Sequence, residues 1–245
     1  MRDMMVLGID TGGTFTDFVL FDGERLHIHK VLSTPEAPDE AIATGMAELG
    51  LEAPLRQGKL LLVHGSTVAT NAALEGKGVP TLFVTNRGFR DLLTIGRQNR
   101  SALYDFFADR PEPLVPPERC FAVAERIGSH GEVVQPLDPA ALPGLIEALR
   151  AAEVQAVAVC LLFAFANPTH EQQIGAALRA AGEGWQLSLA SEILPEFREV
   201  ERAGTTAINA YVTPALDRYL GRLAAALPDT ELRIMQSNGG SISVA

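Results

Sequence analysis

Hydrophobic and polar positions along this chain fall into short strand-like runs first and an alternation of strand and helix patterns afterwards. From Met4 to Ile9 the residues are apolar and stop at Asp10-Thr11-Gly12-Gly13-Thr14, the pattern of a buried strand entering a turn. Phe18-Val19-Leu20-Phe21 is a second apolar run, closed by Asp22-Gly23, a strong hairpin-turn pair. Leu26 to Val31 alternates as a returning strand does, so these three strands run antiparallel to one another. The period then changes: Ala41, Ile42, Met46 and Leu49 recur at helical spacing between Pro38 and Leu49, with Gly50 as the stop.

Beyond Gly50, Leu60 to Val63 reads as a strand, Ser66 to Leu74 as a short helix and Val79 to Val84 as a strand. Gly88-Phe89-Arg90-Asp91 opens a further short element. Arg97 to Pro117 is irregular and carries Pro111, Pro113, Pro116 and Pro117; long proline-rich loops in compact domains tend to be functional or to lie between subdomains. Next come a strand over Cys120–Ala124, a helix over Pro139–Ala151, a strand over Ala156–Leu162, a helix over Pro168–Ala180 capped by Asn167, and a short strand over Leu187–Ala190. Glu196 to Leu227 is helical with an interruption at Pro214, and Leu232 to Met235 is a last strand running into Gln236-Ser237-Asn238-Gly239-Gly240. An antiparallel three-strand start followed by this alternation predicts an α/β domain, a mixed sheet with flanking helices. It is not doubly wound from its first residue, because the first crossover comes after the third strand.

Composition narrows the partners. The 245 residues are 47% hydrophobic and 20% charged, enough for one large globular domain or one domain and part of another. A net charge of −10 argues against nucleic acid or an anionic membrane as the main partner. Phosphate remains open, since backbone N–H groups bind it without a basic surface. No signal peptide precedes Met4 and no apolar run approaches the ~20 residues of a membrane span, so the expectation is a cytoplasmic protein and Asn99-Arg100-Ser101 a chance glycosylation triplet. Cys160, inside Val157–Leu162, reads as a core thiol, and with Cys120 it makes neither a disulfide framework nor a zinc site.

The clearest chemistry lies in Gly8-Ile9-Asp10-Thr11-Gly12-Gly13-Thr14-Phe15-Thr16-Asp17. Gly12 and Gly13 let successive N–H groups converge on phosphate oxygens where a Cβ would stand in the way. Thr11, Thr14 and Thr16 add hydroxyls for phosphate or metal. Asp10, at the carboxyl end of a buried strand, is placed to hold Mg²⁺, an ion that takes one or two carboxylates together with phosphates and waters. Asp17 is either a second metal-side carboxylate or a hydrogen-bond partner of the turn. The competing reading is a hairpin turn with its usual Gly and Thr. The string has no P-loop lysine and does not lead from its strand into a helix, which argues against a Walker or dinucleotide site. A nucleotide-phosphate loop between the first two strands of a hairpin is what remains.

This string, together with later segments of the chain, resembles the N-terminal part of the hydantoinase A / 5-oxoprolinase family. The similarity continues through Leu62-Val63-His64-Gly65-Ser66-Thr67-Val68-Ala69-Thr70-Asn71-Ala72, then Gly88-Phe89-Arg90-Asp91 with Ile95-Gly96-Arg97-Gln98. It extends through Asn167-Pro168-Thr169-His170-Glu171, Leu194-Pro195-Glu196-Phe197-Arg198-Glu199 and Met235-Gln236-Ser237-Asn238-Gly239-Gly240. The resemblance implies the ribonuclease-H-like, actin-like ATPase fold shared with sugar kinases and Hsp70 chaperones. It implies ATP-dependent ring opening of a cyclic amide such as a hydantoin, a lactam or 5-oxoproline, in which ATP phosphorylates the amide oxygen so that water can attack. It also implies a partner of the hydantoinase B type and an oligomeric full assembly. Related carboxylases activate ketones with the same module, so the substrate class stays open. On this resemblance Asp10 and Asp17 serve Mg²⁺, and Thr11, Gly12, Gly13, Thr14 and Thr16 cradle the phosphates. Family members run on into a second half with another such loop. The expectation is therefore an N-terminal actin-like domain over residues 1–190, and over 191–245 the beginning of a second domain, cut short, with an incomplete cleft.

Other positions carry two readings each. Gly65, Ser66 and Thr67, ending a strand and opening a helix, either face the ligand or form a helix cap with His64 as an ordinary strand-end residue; Thr70 and Asn71 lie one turn on. Arg97, with Asn99 and Arg100 near Tyr104 and Asp105, either stabilises charge during phosphoryl transfer or sits in a surface salt bridge. Glu196, Arg198, Glu199, Glu201 and Arg202 read as a solvated face. His170-Glu171 reads as helix capping and dipole matching rather than metal binding, and the His27/His29 pair lacks the companions of a metal site. Two other classes stay in play: a sugar or acyl kinase, against which the segments from His64 onward argue, and a non-catalytic assembly or regulatory module.

Overall fold

The computed structural model describes residues 4–34, 37–99, 102, 104–105, 107, 112–228, 230–236 and 239–243. Arg100, Ser101 and Pro111, and Ser237 and Asn238 of the last motif, lie outside the described residues. The chain divides into two compact units, Met1–Asn71 with Ala215–Ala245, and Ala72–Pro214.

The first unit contains β1 (Met5–Thr11), β2 (Phe15–Phe21), β3 (Leu26–Leu32), α1 (Pro38–Glu48), α2 (Glu52–Arg56) and β4 (Leu60–Ser66). The helix α3 (Val68–Leu74) then leads the chain into the second unit. That unit holds β5 (Thr81–Asn86), α4 (Leu92–Ile95), β6 (Cys120–Val123), β7 (Arg126–Ile127), β8 (Val133–Gln135), α5 (Leu142–Ala151), β9 (Ala156–Val159), α6 (Thr169–Ala180), β10 (Gln186–Leu189) and α7 (Ala190–Ile193). The long α8 (Glu199–Ala226) brings the chain back to the first unit, which ends with β11 (Glu231–Met235) and β12 (Ser241–Ser243).

The first unit is a six-stranded sheet in the order β12-β11-β4-β1-β2-β3. β1, β2 and β3 are antiparallel neighbours, β4 is parallel to β1, and β11 is parallel to β4. Strand alternation puts Leu7, Ile9, Phe18, Leu20 and Leu62 on one face, where they form a core with Ile42 and Met46 of α1, Tyr219 and Leu223 of α8, and Leu227 just beyond it. The intervening residues, Asp10, Asp17 and Val19 among them, stand on the opposite face, exposed or half-buried. The Asp22-Gly23 turn forms as its residues require: Gly23 has φ +102°, and Asp22 Oδ1 accepts the Glu24 and Arg25 N–H groups at 2.9 and 2.7 Å.

The second unit is built on a fully parallel sheet, β10-β9-β5-β6, with β5 and β9 buried along their whole lengths. Leu82, Val84, Val157 and Val159 pack with Leu145 and Leu149 of α5 and Ile174 and Leu178 of α6. On the other face Phe83, Ala156 and Ala158 meet Ala203, Ala207 and Ala210 of α8, a small-residue stripe at helical spacing. That packing explains why α8 does not break at Pro214, contrary to the sequence expectation. Ala203, Ala207 and Ala210 before the proline are buried in the second unit's core and Tyr219 and Leu223 after it in the first unit's, so the helix is anchored on each side of the N–H the proline lacks. The N-cap position of α6 is Pro168 rather than Asn167, whose Oδ1 still accepts the Thr169 N–H at 3.1 Å in the turn that enters the helix. Among the described residues no helix is long and apolar enough to cross a membrane.

Candidate functional site

The β1–β2 turn is a tight hairpin closed by the Gly12 N–H donating to the Phe15 carbonyl at 3.0 Å, with Gly13 and Thr14 at its tip. Neither Gly12 nor Gly13 lies in the left-handed region. Their value is steric: a Cβ on Gly12 would press on the Phe15 carbonyl at 3.1 Å, and one on Gly13 would enter empty space, the room a ligand needs. The turn is pinned from the end of β3. Ser33 Oγ donates to the Gly12 carbonyl at 2.7 Å and bonds Thr16 Oγ1 at 3.0 Å, while the Ser33 N–H donates to the Thr14 carbonyl at 2.9 Å.

β4 completes the site. Its parallel register with β1 sets Gly65 beside Asp10 and Ser66 beside Thr11. A Cβ on Gly65 would stand 3.5 Å from Asp10 Oδ1, so the bare Cα leaves the carboxylate uncovered. Thr67 Oγ1 donates to the Thr11 carbonyl at 3.3 Å, tying the two strand ends together, and Asn71 donates to Thr67 Oγ1 at 3.3 Å. Ser66 Oγ accepts the Val68 N–H at 3.2 Å, which is the capping alternative for that residue.

Asp10 and Asp17 are register partners on the same face. Like charges placed directly opposite repel unless a cation lies with them. Asp17 has one, Lys30 Nζ on β3 at 2.9 Å, so its carboxylate is engaged across the sheet. The exposed Asp10 carboxylate has no hydrogen-bonding or ionic partner among the described residues. No group of three or more His, Cys, Asp or Glu that could hold a metal occurs among those residues, so a cation at Asp10 would take its remaining oxygens from ligand and water.

The threonines divide. Thr14 at the tip of the turn and Thr67 just past β4 are exposed, whereas the Thr11 and Thr16 side chains are buried on the core face. Their hydroxyls therefore do not join the surface that Asp10 presents, because strand alternation sends neighbouring residues to opposite faces. Behind Thr11, the fully buried His64 bonds the Tyr219 hydroxyl through Nε2 at 2.5 Å. Burial holds this imidazole down at about 4 and pushes the Tyr219 hydroxyl up to about 12. Ser33 and Tyr219 were not legible as site residues: Ser33 sits in an ordinary loop, and Tyr219 is 155 residues from its partner.

The remaining candidates lie elsewhere. Arg97 belongs to the second unit, where Nε and a terminal nitrogen bond both oxygens of Glu201 at 2.8 and 2.6 Å, the surface-bridge arrangement. The charged run before α8 is not uniformly solvated, because Arg202 is fully buried and donates to the Glu196 and Leu161 carbonyls at 2.9 and 2.8 Å. His170 and Glu171 are also buried rather than capping. His170 Nδ1 bonds Glu125, and Glu171 accepts the Leu161 and Ser191 N–H groups at 2.9 and 2.8 Å. His27 and His29 pair with Asp22 and Glu48 at 2.7 and 2.6 Å. Both cysteines are buried free thiols, pushed up to about 11 by burial.

Residues 6–182 match the model of the hydantoinase/oxoprolinase N-terminal region. The chain belongs to the hydantoinase/oxoprolinase family. It is 35% identical to the caprolactamase alpha subunit of Pseudomonas jessenii, over 96% of this chain and 35% of that relative. It is 29% identical to the 5-oxoprolinase of Saccharomyces cerevisiae, over 96% of this chain and 22% of the relative. The crystal structure of the ATP-dependent caprolactamase from Pseudomonas jessenii superposes with a TM-score of 0.88, covering 96% of this chain and 36% of that one. Nucleotide-free acetone carboxylase superposes with a TM-score of 0.85 at 26% identity, covering 99% of this chain and 37% of that one. This hydantoinase/oxoprolinase chain thus spans about a third of the caprolactamase subunit and less of the oxoprolinase.

Proposed function

We propose that this chain is the phosphate-gripping N-terminal part of an ATP-dependent enzyme that activates a cyclic amide carbonyl for ring-opening hydrolysis. The observation that carries the reading is the unpaired Asp10 carboxylate, set between the Gly12-Gly13-Thr14 tip and the bare Cα of Gly65. A divalent cation fits Asp10, and phosphate oxygens fit the open side of the tip, where Thr14 and Thr67 present hydroxyls. Bound there, Mg·ATP would supply the phosphoryl group that turns an amide oxygen into a leaving group. The protein's own contribution is positional. Ser33 holds the turn, Thr67 ties β1 to β4, and Lys30 neutralises Asp17, leaving Asp10 as the free charge.

A sheet order of β3-β2-β1-β4-β11, antiparallel over its first three strands and parallel after, supports the ribonuclease-H-like, actin-like reading. We assign residues 1–190 to the N-terminal actin-like region and 191–245 to the beginning of the next as segments of sequence, since residues 215–245 share the first unit's sheet, and we include a hydantoinase B-type partner in an oligomeric assembly. Relatives described as subunits of caprolactamase and acetone carboxylase support the multi-subunit form. The likeness to acetone carboxylase favours a second reading, in which the activated group is a ketone carbonyl destined for carboxylation.

The test is Mg·ATP turnover by the complete assembly with hydantoin, 5-oxoproline, caprolactam or acetone plus bicarbonate. Stimulation by a cyclic amide, abolished by Asp10→Ala, is the expected result; stimulation by acetone and bicarbonate alone selects the second reading. Equal stimulation by a sugar acceptor overturns both.

A further inference from the structure

His64, Tyr219, Thr11 and Ser66 stand on the core face directly behind the phosphate turn. Thr11 and Ser66 are register partners, as are Ile9 and His64, so the imidazole lies one pleat back from the residue that precedes Gly12. The Tyr219 ring, only 2% exposed, leans on the imidazole at 5.6 Å between centroids, and its hydroxyl faces the hydroxyls of Thr11 and Ser66. Two buried polar atoms here have no hydrogen-bond partner among the described residues, Thr11 Oγ1 and His64 Nδ1. Burying an unsatisfied polar group costs stability, so their presence at the base of the site asks for a reason.

The two protonation patterns differ in what they leave unmet. If the phenol donates to His64 Nε2, the imidazole proton sits on Nδ1, toward the Ile9 backbone, and the phenol oxygen is left to accept the Thr11 hydroxyl proton. If Nε2–H donates to the phenol oxygen instead, the phenolic hydrogen is free for Thr11 Oγ1, and only a bare Nδ1 lone pair stays unmet. In either pattern the Tyr219 hydroxyl is the group that can give Thr11 the partner it lacks. It links α8 to the residue that begins the turn.

We infer that Tyr219 is a positioning residue for the phosphate turn: oriented by His64, its hydroxyl anchors Thr11 and so holds the Gly12–Thr14 segment in its ligand-ready form. This rests on the reading of that turn as a nucleotide-phosphate grip. His64 acts through Tyr219 and needs no contact with ligand.

Tyr219→Phe removes one oxygen and keeps the ring in the core, which makes it the decisive variant. Amide hydrogen exchange of the ligand-free chain is the first readout. Exchange at Gly12 should quicken about five- to tenfold, while the β2–β3 amides around Phe18–Leu20 stay as in the wild type, as losing one buried hydrogen bond predicts. Mg·ATP titration is the second, with affinity falling by about the same factor. Leu223→Ala separates anchoring from packing, since it should lower thermal stability without selective exchange at Gly12. His64→Gln, which keeps a donor near the position of Nε2, should retain most of the protection that His64→Leu loses. Unchanged Gly12 exchange in Tyr219→Phe overturns the inference, as does a uniform rise across the sheet. Selective loss at Gly12 in a chain whose wild type gives no Mg·ATP binding upholds the anchor and defeats the phosphate reading instead.

Discussion

Acidification should strike the first unit through His64. The imidazole is fully buried on β4 and bonded to Tyr219 through Nε2, so burial makes a second ring proton costly. Its value drops from an ordinary 6.5 to about 4, chiefly through burial, which the nearby Ile9 backbone offsets only in part. The unfolded chain therefore takes up the proton first, and stability falls as pH drops from about 6.5 toward about 4, levelling off below. At roughly 1.4 kcal/mol per proton and pH unit, the loss between about pH 7 and about pH 5 is about 2 kcal/mol, rising to about 3 kcal/mol in total. His64→Gln cannot titrate, and its smaller side chain should cost about 1–2 kcal/mol at every pH. Urea unfolding of both proteins at the two pH values isolates the histidine, because the carboxylates common to both cancel. Far-UV circular dichroism and exchange of β1 and β4 amides are the suitable probes, since the single tryptophan, Trp185, lies in the other unit. Parallel loss of stability by the two proteins, within about 0.5 kcal/mol, would refute the reasoning.

Three further outcomes are open to measurement. Gly45→Ala gains about 1 kcal/mol of helix propensity but sets a methyl on the buried Phe18 ring, so a net loss of about 1–2 kcal/mol is expected in denaturant unfolding. Glu171→Gln offers an amide NH₂ to one of two backbone N–H groups that now find carboxylate oxygens, which should cost about 1–3 kcal/mol; neutral stability in the same assay would contradict it. The Arg97–Glu201 pair is exposed, so Arg97→Ala should change stability by at most about 1 kcal/mol, and a selective fall in turnover would give that arginine a role beyond the salt bridge.

Local chemistry was legible in the sequence where it is local in the fold. The Asp22-Gly23 turn, the Asn167–Thr169 turn into α6 and the Gly12-Gly13 hairpin each depend on residues within a few positions, and each forms. Strand alternation puts Asp17 and Phe18 on opposite faces, and the same rule sends the Thr11 and Thr16 hydroxyls into the core, against the expectation that they cradle phosphate. Partnership across long separations was not readable. Nothing near Asp17 in the chain announces Lys30, and nothing near Arg97 announces Glu201. The division into units was equally hidden, because residues 215–245 join 1–71 only after the chain has built an entire parallel sheet between them.

The charged run before α8 is the instructive failure. Alternating signs at helical spacing normally mean a solvated face, since burying an unpaired charge is prohibitive. Arg202 escapes that rule because backbone carbonyls past β9 and past α7 supply what water would. The chain just past β9 gives the Leu161 carbonyl, the loop after α7 gives the Glu196 carbonyl, and the Phe165 ring lies 5.2 Å from the guanidinium carbon. Glu171, also buried, holds the Leu161 and Ser191 N–H groups that come after β9 and β10, and its charge attends Arg202. Asn86 ties the end of β5 to the same region by accepting the Leu162 N–H at 2.7 Å. Backbone groups at strand ends are a solvent that the sequence does not spell out, because which ends converge is decided by topology. Glu171 of Asn167–Glu171 and the Glu196 carbonyl of Leu194–Glu199, two segments that resemble family motifs, thus meet at one polar node around Arg202.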